Sequence, residues 1–276
     1  MTARAATSDA SLDYARDLTR AVGGALLFAL PLLMTMEMWA LGFSMERERL
    51  ILFVLLGLGL LVGLSHFAGF RHTSRLRDDV FDALSAFAVG FVVSALLLLL
   101  FGVLHLGQPL DEVVGKVAIQ AVPAGLGAVL ARKQLAQSDD PSPDDAPPTE
   151  SYPAELFTMV AGALFIALNV APTEEMRLIA YQMTPAQTIL MALVSIGLLH
   201  ALVYALGFSG QHHHDRPWIA FLHFTLPGYA LTLLVCLYVQ WTFGHLDGHG
   251  LIAGIKTTVV IALPGAIGAG AARLVI

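Results

Sequence analysis

The chain has 276 residues, of which 57% are hydrophobic and only 13% charged, and its mean hydropathy is +0.73. That composition excludes an ordinary soluble domain and points to an integral membrane protein. The net charge of −6 comes largely from one short acidic tract, and no basic patch suggests nucleic acid. The single Cys236 lies in an apolar run and reads as a small core residue, so it carries no disulfide information.

Residues 1–20 are polar and form the N-terminal segment, with a short surface helix expected over SLDYARDLTRA. Eight apolar segments follow, each close to the ~20 residues that cross a hydrocarbon core of about 30 Å. They fall at about 22–43, 49–70, 79–106, 112–132, 155–180, 185–208, 217–244 and 250–275. The first is expected to be a retained span and not a cleaved signal, because it recurs later in the chain. Between the fourth and fifth spans, residues 134–153 hold QSDDPSPDDAPPTES, an acidic, Pro-rich stretch expected to be a disordered linker. Arg4, Arg16, Arg20, Arg71, Arg75, Arg77, Arg132, Lys133, Arg216 and Arg273 fall on one side of this topology, and Arg47, Arg49 and, at the edge of its span, Arg177 on the other. The asymmetry predicts that both termini and the linker are cytoplasmic.

The chain is internally duplicated. GALLFALPLLMTMEM at 24–38 aligns without a gap on GALFIALNVAPTEEM at 162–176, and one register extends the match to Phe70 and Phe208. It pairs Thr35 with Thr173, Glu37 with Glu175, Met45 with Met183 and Gly59 with Gly197. Gly90 matches Gly228 in that register, Phe101-Gly102 matches Phe243-Gly244 after one extra helical turn, and AVPAGLGAVLAR matches ALPGAIGAGAAR. The expected fold is therefore all-α, with eight transmembrane helices as two parallel four-helix repeats, 21–133 and 154–276. An even number of spans per copy implies a pseudo-twofold axis along the membrane normal.

Both copies place a carboxylate, Glu37 or Glu175, after about fifteen residues of apolar helix, where an ionised group is costly without a partner or a hydrated cavity. The second copy adds Glu174. With Thr35 and Thr173 these form a candidate ion-binding or proton-relay set, the alternative being a structural ion pair or a protonated carboxyl. Lys116 and Lys256 lie at similar depth and are candidate counter-ions, unless they simply reach the headgroups. Pro123 and Pro264 each remove one backbone hydrogen bond and are candidate kinks, with close packing of the small residues that follow as the simpler reading. His66 and His200, in equivalent spans but about one turn apart, either relay protons or bond to a neighbouring helix. The run His212–His214 with Asp215 lacks the spacing of a tetrahedral metal site. Met34, Met36 and Met38 alternate and so diverge around a helix. No cofactor or catalytic motif is present, and whether any metal binds stays open.

MTMEMWALGF, DEVVGKVAIQAVPAGLGA and NVAPTEEMRLIAYQMTP resemble an uncharacterised bacterial family of integral membrane proteins, a domain of unknown function. The resemblance implies a multi-span protein of the bacterial inner membrane and carries over no activity. From the residues, the expectation is a non-enzymatic channel or transporter for a small inorganic ion, a cation or proton before an anion bound by the lysines. A scaffold or sensor acting through cytoplasmic loops is the alternative from another class. The expected partners are the bilayer, the ion, and other copies of the chain in a homo-oligomer such as a dimer.

Overall fold

The computed structural model describes residues 2–67, 76–136, 151–205 and 217–275. Most of the acidic linker and the His212–His214 run lie outside the described residues. Every regular element among them is helical: α1 (Thr2–Leu33), α2 (Met36–Ser44), α3 (Arg47–Phe67), α4 (Leu76–Leu100), α5 (Leu110–Ala136), α6 (Tyr152–Val170), α7 (Glu174–Gln182), α8 (Pro185–Ala205), α9 (Pro217–Ala220), a π-helical turn at Phe221–Thr225, α10 (Leu226–Thr242) and α11 (Leu251–Val275). Seven helices are long and apolar enough to cross a membrane, or eight when α1 and α2 count as one bent span. With no water in the hydrocarbon core, helices satisfy their own backbone groups, which is why an apolar chain of this kind adopts them.

The chain divides into two compact units, Met1–Phe43 with Val54–Ser142, and Ser44–Phe53 with Pro143–Ile276. In the first, α5 is the central helix: 83% of its span is buried, and α1 and α4 pack on it. Small residues permit this. A Cβ on Gly24 of α1 would collide with the carbonyl oxygen of Gly127 of α5, and one on Gly90 of α4 would lie 2.7 Å from the Gly125 nitrogen. In the second unit α11 takes the central place, with α6, α7, α8 and α10 against it. There Gly162 of α6 meets the carbonyl of Gly268 of α11 with the same clash for an added Cβ.

Two expectations are corrected. The segments 22–43 and 155–180 are not single helices: α1 ends at Leu33 and α2 leaves at 86°, and α6 ends at Val170 before α7 starts at Glu174. Pro123 and Pro264, the candidate kinks, lie inside α5 and α11, each of which continues as helix on both sides of its proline. The physical reason is that the breaks carry their own replacement hydrogen bonds. Thr35 N–H and Oγ1 both donate to the carbonyl of Leu32, at 3.1 and 2.8 Å, and Thr173 N–H and Oγ1 donate to Val170, at 3.2 and 2.9 Å. Pro172, which has no N–H, assists the second break. Within α5 and α11 packing on several neighbours keeps the chain helical despite the proline.

Glycine also ends the third span of each unit. Gly102 and Gly244 have φ of +72° and +74°, and the residues after them donate back to Leu98 and Gln240. This left-handed cap closes α4 and α10 identically and accounts for the shared Phe-Gly pairs.

Candidate functional site

The helix breaks are the feature that both units share. Thr173 is the N-cap of α7, with extended backbone at φ −74° and ψ 140°, and its hydroxyl turns back to α6. Glu174 and Glu175 are then the first residues of α7, as Glu37 is in the first turn of α2. Each carboxylate thus stands at the positive end of a nine-residue helix, which stabilises it by about 0.3–1 kcal/mol. Glu37 is half-buried and Glu175 exposed; among the described residues neither makes an ion pair or side-chain hydrogen bond. The threonine hydroxyls donate to the preceding helix, which leaves their oxygen lone pairs as acceptors.

The lysines lie at the other end of these short helices. Lys256 Nζ donates to the carbonyl of Met183, the C-cap of α7, at 2.5 Å. Lys116 packs its backbone against Gly42 near the C-terminus of α2, and its Nζ lies 5.6 Å from the Phe43 ring. Its ion partner is Glu112, at 2.5 Å on the same helix, with Gln108 also bonded to Glu112. The expected Glu37–Lys116 and Glu175–Lys256 pairs are therefore corrected: acid and lysine bracket one helix of nine residues, about 13 Å long at 1.5 Å per residue. A cation near the carbonyl end of a helix is as favourable as an anion at its start.

The first break is further buttressed by Trp39, whose Nε1 donates to the Leu33 carbonyl at 2.7 Å, and by Gln120 of α5, whose amide reaches Leu32 at 3.5 Å. At the position of Trp39 the second copy has Arg177, which pairs with Glu174 at 3.0 Å. Opposite it, in the turn between α10 and α11, stands His245. Among the described residues its Nδ1 is buried without a hydrogen-bond partner. Burial above all, then the Arg177 charge, pushes His245 down to about 4, against a smaller upward effect of Glu174. The turn is also held by Arg49, which donates to both carboxylate oxygens of Asp247, at 2.8 and 3.1 Å, and to the Trp241 carbonyl.

The two intramembrane histidines serve as inter-helix ties. His66 Nδ1 lies 2.9 Å from Asp79 of α4, with the ring 51% exposed and the carboxylate 1%. His200 Nδ1 lies 2.9 Å from Thr225, in the π-helical turn. Sequence reasoning missed Asp79, His245, and above all Glu155 with Arg273, an ion pair of α6 and α11 whose side chains are each only 5% exposed and whose guanidinium also lies 4.7 Å from the Phe224 ring. A signal existed: the repeat register sets Asp17 opposite Glu155 and Arg132 opposite Arg273. Among the described residues no group of three His, Cys, Asp or Glu could hold a metal ion.

Long apolar helices and central helices packed through glycine define a multi-pass integral membrane protein. A family model described as "Putative integral membrane protein (DUF2391)" matches residues 17–276, and the chain belongs to that family. No curated protein and no solved structure matches it.

Proposed function

We propose that the protein transports a small inorganic cation or proton across a bacterial inner membrane, as two parallel four-span repeats with both termini cytoplasmic. The observation that carries this reading is the repeated discontinuity. Each unit interrupts an apolar helix at a Thr, turns, and begins a short helix with a carboxylate. Broken helices whose ends face ions are a recurrent device of transporters. Glu37, Glu174 and Glu175 are the ion-binding or proton-accepting groups.

A cation is favoured over an anion by the partners described above. Lys116 is bonded to Glu112 and Lys256 to a carbonyl, whereas Glu37 and Glu175 are free to take a ligand. The lysines act on the short helices that carry the carboxylates and not as counter-ions to them. The rival reading is a non-transporting scaffold, favoured by the completeness with which Thr35, Trp39 and Thr173 cap the breaks.

Flux from liposomes tests the choice, with K⁺, Na⁺, Ca²⁺, H⁺ and Cl⁻ gradients applied in turn to the parent and to Glu37→Gln/Glu175→Gln. Flux carried by one cation and lost in the folded double variant is the expected result. Flux unchanged in the variant removes the carboxylates from the mechanism, and no flux of any ion leaves the scaffold.

A further inference from the structure

We propose that the first helix break holds one dehydrated alkali cation, Na⁺ or K⁺, between the side-chain oxygen of Gln120 and the carbonyl of Leu32 at the end of α1. The inference rests on the transport reading above and narrows it, because the ion taken is then a metal cation and not a proton. Gln120 lies on the central helix α5 and is fully buried. Its Nε2 stands 3.5 Å from the Leu32 carbonyl oxygen, the outer limit of a hydrogen bond. Among the described residues nothing donates to its Oε1. The amide is thus aimed at the break with its acceptor unused.

Packing does not require an amide there. The repeat register sets Ile261 of α11, also fully buried, at the position of Gln120. An apolar side chain fills the equivalent place in the second unit, whereas a buried amide with an unmatched oxygen disfavours the fold unless a ligand completes it. The end of α1 offers that ligand further oxygens. The N–H of Thr35, which in a continuous helix would serve the Pro31 carbonyl, bonds to Leu32 instead at 3.1 Å. The Thr35 hydroxyl, 2.8 Å from the Leu32 oxygen, keeps its lone pairs. A helix end of this kind carries negative partial charge, and in an apolar interior no bulk water offsets it.

Spacing and charge select the ligand. Rotating the planar amide by half a turn exchanges its nitrogen and oxygen, two atoms of nearly equal size, so Oε1 can take the place of Nε2 beside Leu32. Ca²⁺ holds oxygens at about 2.3–2.6 Å, and Na⁺ has nearly the same radius, so two ligands at right angles stand roughly 3.3–3.7 Å apart. The amide and the Leu32 oxygen, at 3.5 Å, have that spacing. Glu37, in the first turn of α2 beyond the break, brings one negative charge. Lys116, one turn from Gln120 on α5, is neutralised by Glu112 at 2.5 Å. A single carboxylate among neutral oxygens balances one positive charge; a divalent ion asks for more.

Equilibrium dialysis of the purified full chain in detergent tests this, with radioactive Na⁺ or, in place of K⁺, Rb⁺, in choline chloride at constant ionic strength. The expected result is saturable binding of one ion per chain, weakened by about tenfold or more in Gln120→Leu. No saturable binding of either cation to the parent, or unchanged affinity in a folded Gln120→Leu, overturns the inference. If Gln120→Leu does not fold, Gln120→Glu, which keeps the shape of the side chain, decides. A carboxylate in that place should tighten binding by about tenfold or more as pH rises and it ionises, and affinity equal to the parent at every pH overturns the site. Dialysis needs no gradient, so the two readings fail separately. Binding without flux in liposomes keeps the cation site and removes transport; proton flux lost in Glu37→Gln/Glu175→Gln, without alkali binding, keeps transport and removes the site.

Discussion

Gly24 and Gly127 touch backbone to backbone, so that a methyl group on either would fall on the other's carbonyl oxygen, and Gly162 and Gly268 repeat the contact between α6 and α11. These crossings bring two apolar helices together without a side chain between them. Where lipid tails are as apolar as leucine, such close van der Waals contact is a main source of helix association.

Gly24→Ala and Gly162→Ala are each expected to destabilise the protein by about 1–3 kcal/mol or more, because the clash is with backbone that cannot rotate away. Gly23→Ala and Gly197→Ala, whose added Cβ meets nothing within 4 Å, should be neutral or slightly stabilising. Thermal unfolding in one detergent compares all four. Equal effects at the crowded and open glycines would show that the crossings are not as close as described.

Thr35→Val and Thr173→Val remove the hydroxyls that bond to Leu32 and Val170 while keeping side-chain volume. Each should cost about 0.5–1.5 kcal/mol, the usual net worth of such a bond. The change is expected in local hydrogen exchange of α2 or α7 before it appears in the global melting temperature. Uniform exchange along the chain would argue that the threonines do not define the breaks.

Glu155 and Arg273 are expected to behave as a buried pair. Glu155→Ala or Arg273→Ala alone should cost about 3–5 kcal/mol by stranding a charge, and Glu155→Leu/Arg273→Met should recover most of that loss. A double-mutant cycle on unfolding in denaturing detergent measures the coupling. Additive single effects would mean that the two side chains are solvated independently.

Lys256→Met should loosen the end of α7 by about 1 kcal/mol, since the carbonyl of Met183 loses a charged donor. It should leave ion selectivity in liposomes unaltered, as should Lys116→Met. Abolished transport in either folded variant would reverse the assignment in favour of an anion.

Much of this architecture is legible in the residues. Hydropathy finds the apolar segments, and the Phe-Gly pairs matched between the two copies turn out to hold the left-handed glycines that end α4 and α10. The breaks are harder. Hydropathy runs smoothly through Met34–Met38, so a window that averages over nineteen residues sees one span where the chain makes two. The cue was local and polar: a threonine followed within two residues by glutamate marks a helix start, and Pro172 sits beside it. Spacing along the sequence suggested that Glu37 could reach Lys116, whereas an intervening helix separates them. Glu155 and Arg273 were overlooked because each falls at the edge of its span, where a charge costs little and attracts no notice.

The two copies have also parted company at their most similar place. Trp39 locks the first break with an indole that no physiological pH alters, while the second offers Arg177, Glu174 and His245 at the corresponding location. An uncharged ring thus holds one break where a charged pair stands at the aligned position of the other, so dissolved salt screens the pair at the second break and leaves the indole bond of the first untouched.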